Sequence, residues 1–156
     1  MFTARVTRNP RLLPAGRRPD EVLAASPERQ IPAYEARLAP GPQDAAPPRE
    51  WILELFGRLE ANATESEYCG CPYLAALVEL KDPEHPASVV ARDVKERLQV
   101  LFRTQAELGG ARDPELLARQ LMLVLDGASA RAGARIEKLD GLTTTVAALL
   151  DAAGME

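Results

Sequence analysis

Apolar residues recur along this chain with a period close to 3.6, which is the spacing of one face of an α-helix. Trp51, Ile52, Leu55, Phe56 and Leu59 form a broad stripe. Pro48 suits the first helical position, and Glu50 favours the positive end of the helix dipole. The pattern predicts a helix from Pro48 to about Asn62. After the turn TESEYCG, Pro72 opens a short helix with Tyr73, Leu74, Leu77, Val78 and Leu80, which KDPEHP (81–86) ends. A long helix follows over roughly Ala87 to Leu108. It carries Val90, Val94, Leu98, Leu101 and Leu108 on one side, charges opposite, and stops at Gly109 and Gly110. Asp113 reads as the N-cap of a further helix, with Pro114 at its first position, running to about Arg131 through Leu117, Leu121, Val124, Leu125, Ala128 and Ala132. A last helix spans about Leu142 to Ala153, marked by Leu142, Val146, Leu149, Leu150 and Ala153. Its first turn, Thr143 to Thr145, is made of weak helix formers.

The first third of the chain reads differently. Asp20 to Leu38 has helical composition, but Pro27 and Pro32 each remove a donor and crowd the preceding turn, so a kinked or two-piece helix is expected. Residues 39–48 read as a linker. Residues 1–19 show no sustained period.

Composition narrows the fold class to all-α. Ala and Leu supply 48 of the 156 residues against 12 for Val plus Ile, and only 7 are aromatic, a bias toward helices and away from sandwiches or barrels. The expected architecture is an antiparallel bundle of about six helices. Apolar runs reach only about five residues, as at Leu121 to Leu125, too few to span a bilayer. No apolar core of a secretory signal precedes the helices, so a cytoplasmic protein is expected.

Charge divides the chain. The formal charge of −4 splits into +5 for residues 1–19, which hold five arginines and no acid, and −9 for residues 20–156. Two segments follow: an irregular basic leader, 1–19, and a helical body, 20–156. Arg5, Arg8, Arg11, Arg17 and Arg18 would be the phosphate contacts if the leader touches nucleic acid. Pro10, Pro14 and Pro19 and the lack of interleaved aromatics favour an unstructured leader instead.

Catalytic constellations are missing from the sequence. No phosphate-binding glycine loop, nucleophile elbow or zinc-protease motif occurs, and His85 is the only histidine. His85 lies in a proline-rich turn, where a surface or capping role outweighs that of a catalytic base. Cys69 and Cys71 flank Gly70 as C-x-C, which is neither the C-x-x-C redox motif nor part of a zinc set. They read as reduced, partly buried thiols, with a redox-sensing pair as the alternative. No catalytic residue, metal ligand or cofactor is expected, and the protein is not expected to be an enzyme.

From Asp20 onward the chain resembles the C-terminal regulatory domain of TetR-family transcriptional regulators. The resemblance rests on a series in fixed order. It runs from Asp20-Glu21-Val22-Leu23 to Gly70-Cys71-Pro72-Tyr73-Leu74-Ala75-Ala76 and the acidic turn Asp82-Pro83-Glu84-His85-Pro86. It continues with Ala111-Arg112-Asp113-Pro114-Glu115-Leu116-Leu117-Ala118 and Leu121-Met122-Leu123-Val124-Leu125-Asp126-Gly127-Ala128, then a final helix. It implies a domain that binds a small effector and dimerises through its last two helices. In that family a helix-turn-helix head precedes this point, and nineteen residues with three prolines are too few to build one. The expectation is therefore a sensor half without autonomous sequence-specific DNA binding, contacting DNA only weakly or through a missing head. The alternatives are a heterodimer partner of full-length regulators, or a helical assembly module without a ligand.

Two sets of residues follow from this picture. Trp51, Leu55, Tyr73, Leu77 and Phe102, large side chains from three helices, are the expected lining of a pocket for a small apolar or aromatic effector; ordinary core packing is the competing use. Leu121, Leu125, Ala128, Ala132, Val146, Leu149 and Leu150 are the expected homodimer contacts, with Gly127 and Ala128 small enough for close approach. These stripes could equally face the protomer's own core.

Overall fold

Prolines set the starts of four helices in the computed structural model, which describes residues 41–42, 46–136 and 138–156. The helices are α1 (Pro48–Asn62), α2 (Pro72–Leu80), α3 (Pro86–Leu108), α4 (Pro114–Gly133) and α5 (Leu142–Ala153). Each of the first four opens on proline, whose missing N–H costs nothing there and whose φ already fits the helix. Among the described residues there are five helices and no strand, in agreement with the all-α expectation. The helix expected over Asp20 to Leu38 and the leader 1–19 lie outside the described residues.

Local chemistry places the ends close to where the periodicity puts them. Asp113 caps α4 by accepting the Leu116 amide at 2.9 Å, and His85 caps α3, its Nδ1 accepting the Ala87 amide at 3.2 Å. The long helix begins one residue earlier than expected, at Pro86. The threonine turn does join α5. Thr145 Oγ1 donates to the Gly141 carbonyl (3.1 Å), and Thr143 Oγ1 donates to Glu60 on α1 (3.0 Å), so tertiary contact offsets poor propensity. Helix α5 ends at Gly154, with φ +85°. The Gly154 amide donates to Asp151 O and the Met155 amide to Leu150 O, both at 3.0 Å, the paired bonds of a Schellman motif.

Helix α1 packs against α5 and α3, α3 packs against α4 and α2, and α4 packs against α5. One continuous apolar core fills the space between them. Phe56 of α1 and Phe102 of α3 stack within it, ring centroids 5.8 Å apart. The loop before α2 is seated directly on the last turn of α4. A Cβ built on Gly133 would lie 2.8 Å from the Cys69 carbonyl oxygen and 2.9 Å from Gly70 Cα, so backbone meets backbone there.

Candidate functional site

The helices collect the expected pocket residues into the core. Trp51 and Leu55 from α1, Tyr73 from α2 and Phe102 from α3 have no exposed surface, and Leu77 of α2 packs half-buried against the same core. The indole N–H of Trp51 is enclosed without a hydrogen-bond acceptor from the protein. A buried, unmatched donor is costly, about 1–3 kcal/mol, and is therefore a natural anchor for an acceptor on a bound molecule. The rest of the lining is apolar apart from the buried hydroxyl of Tyr73.

The expected dimer residues fall on the inward side of their helices. Leu121, Leu125, Val146 and Leu150 have no exposed surface, Ala128 and Ala132 are buried, and Leu149 is half-buried. Within one protomer the six buried residues belong to its own core. They hold α4 and α5 to the body. An amphipathic stripe marks the apolar face of a helix without saying whose core it enters.

A second, outward stripe runs along α4. Leu116 and Leu123 are exposed, Leu123 by 75%, and Gly127 and Ala130 are exposed on the same side, seven residues or one to two turns apart. Half-buried Gln120 and Val124 border them, and Arg119 and Arg131 flank the strip. Gly127 has nothing within 4 Å of where a Cβ would sit. Glycine inside a helix costs about 1 kcal/mol against alanine, and among the described residues no contact requires it here. The outer side of α5 carries Thr144, Ala148 and Ala152 at four-residue steps, all exposed and all small. The sequence holds this signal in Leu116 and Leu123, seven residues apart and off the stripe of Leu117, Leu121 and Leu125.

Other expected features resolve simply. His85 serves as the α3 cap. Cys69 is exposed and Cys71 is buried. Among the described residues no three His, Cys, Asp or Glu side chains are grouped to hold a metal, and no helix is long and apolar enough to cross a membrane. The arginines of the leader, Arg5, Arg8, Arg11, Arg17 and Arg18, lie outside the described residues.

Comparison with known proteins gives one strong likeness. The crystal structure of a protein assigned to the TetR transcriptional regulators of Streptomyces avermitilis MA-4680 superimposes with a TM-score of 0.82. It is 51% identical in sequence, over 88% of this chain and 75% of that one. No family model matches the chain, and no curated protein matches it.

Proposed function

The chain belongs to the TetR family of transcriptional regulators, and on that premise we propose that its helical body, residues 20–156, is an effector-sensing and dimerising unit that works by binding, not catalysis. The observation that carries the dimer is the outward strip of α4. Leu116, Leu123 and Ala130 line it around Gly127, which stands in open space, and the small face of α5 supplies Thr144, Ala148 and Ala152. Two such helix pairs related by a two-fold axis make a four-helix seam, with glycine and alanine letting the backbones approach. The residues behind it, Leu121, Leu125, Val146 and Leu150, set its shape from within the protomer.

The effector is a small apolar or aromatic molecule carrying a hydrogen-bond acceptor. Trp51, Leu55, Tyr73, Leu77 and Phe102 supply apolar contact, and the Trp51 indole N–H supplies the donor. Entry requires these packed side chains to repack. Binding therefore couples to the arrangement of α1, α2 and α3, which is how one site influences another. The working compartment is the cytoplasm, where a regulator meets both metabolites and DNA.

Analytical ultracentrifugation at micromolar concentration tests the dimer. Wild type is expected at twice the mass of the chain and Leu123→Glu at the monomer mass with unchanged helicity. A wild-type monomer, or a dimer indifferent to Leu123→Glu, overturns the reading. Thermal shift with an aromatic-acceptor library tests the pocket. Hits are expected to raise Tm and to lose affinity in Trp51→Phe, which keeps the ring and removes the donor.

A further inference from the structure

Three separate stretches of chain meet just after α5. Met155 turns back from the Schellman motif and is only 1% exposed. Its side chain fills the space beside Gly109, at the end of α3, so that a Cβ on Gly109 would collide with the Met155 methyl. Pro48 Cβ, from the first residue of α1, lies 3.3 Å from that same Cβ position. Polar bonds close the junction on two sides. Arg49 Nη1 donates to the Met155 carbonyl at 2.9 Å, and its Nη2 pairs with Asp151 of α5 at 2.6 Å. From the α3–α4 turn, the Arg112 amide donates to Ala153 O at 2.9 Å, and the Arg112 guanidinium donates to Ala152 O while its side chain lies across Gly154.

We propose that Gly154–Met155 is a latch that fastens α5 to the entry of α1 and to the α3–α4 turn, making the three move as one piece. The arrangement has the parts of such a device. An unbranched, adaptable methionine fills the space beside Gly109, its amide donating to Leu150 O and its carbonyl accepting from Arg49 of α1. Through it, a displacement of α5 passes to Pro48, the point at which residues 1–47 join the body. The latch rests on the reading above only in giving α5 a partner; its own existence is a property of one protomer.

Hydrogen exchange read by mass spectrometry on the full chain tests it, with the sedimentation measurement reporting the dimer separately. In Met155→Asp, exchange of the amides from Trp51 to Glu54 and of Ala111 and Arg112 is expected to rise at least tenfold together. The α2 amides stay as in wild type. Arg49→Gln, which leaves the core intact, is expected to raise the same two groups about threefold, and Met155→Leu to behave as wild type. Unchanged exchange at the α1 entry overturns the proposal, as does a uniform rise across all helices, which marks lost global stability and no latch.

Discussion

Two glycines on one helix make opposite predictions for the same substitution. Gly127 and Gly133 both lie in α4, six residues apart. In Gly127→Ala the new methyl enters open space, since nothing lies within 4 Å. The only consequence within one protomer is the removal of glycine's excess unfolded-state freedom, worth about 1 kcal/mol in favour of folding. In Gly133→Ala the methyl would lie 2.8 Å from Cys69 O, 2.9 Å from the Cys69 carbonyl carbon and 2.9 Å from Gly70 Cα. Carbon atoms prefer about 3.5–4.0 Å. All three neighbours are backbone, so no side-chain rotation relieves the overlap. Gly70 is seated against α4 on its own side as well, since a Cβ built on it would lie 3.0 Å from Ser129 O. Overpacking of this kind costs about 1–3 kcal/mol. After about 1 kcal/mol of helix propensity is returned, Gly133→Ala is destabilised by up to about 2 kcal/mol. For a chain of this size each kcal/mol moves Tm by about 2–4 °C. The two variants should therefore melt on opposite sides of wild type. Urea unfolding followed by far-ultraviolet circular dichroism measures this. Each melt is run at two protein concentrations tenfold apart, because association adds concentration-dependent stability. At the lower concentration Gly127→Ala should exceed wild type; at the higher one a methyl wedged into the seam should reduce or reverse that gain. A Gly133→Ala midpoint at or above that of wild type would refute the packing argument.

Leu123 and Leu125 are two residues apart and face opposite ways. Leu125→Ala, in a site with no exposed surface, should lose about 2–5 kcal/mol, while Leu123→Ala, 75% exposed, should change protomer stability by less than about 0.5 kcal/mol and instead weaken association in sedimentation. Lys95 of α3 pairs with Asp126 of α4 with its ammonium group largely buried. Asp126→Ala should cost about 1–2 kcal/mol in urea melts by stranding that charge, less than a fully enclosed pair because Asp126 is about one-third exposed. The double variant Lys95→Met/Asp126→Leu should recover most of the loss, and a double variant as unstable as Asp126→Ala would argue against stranded charge as the cause.

Helix positions were legible because their signals are local. Pro48, Pro72 and Pro114 announce helix starts, Asp113 a cap, and Gly109 with Gly110 a stop, and each acts within a turn of where it stands. The threonine turn of α5 was the weakest element for the same reason, since its support comes from Glu60 in another helix. No local signal in the sequence pairs Met155 with Arg49. A glycine followed by an apolar residue after a helix hints at a Schellman ending, yet nothing local says where that residue packs.

By itself, the sequence determined the helical class, the five helices described and which face of each is apolar, since periodicity and capping depend only on near neighbours. It also carried the family, in the order of its motifs. What only the tertiary structure decided is the owner of each face. The stripe of Leu121, Leu125, Val146 and Leu150 proved to be the protomer's own core, leaving Leu116, Leu123 and Gly127 on the outside. The physical reason is that hydrophobic burial is non-directional: an apolar stripe is satisfied equally by its own chain or by a second copy, and only the packing of α1 and α3 against the rest settles which.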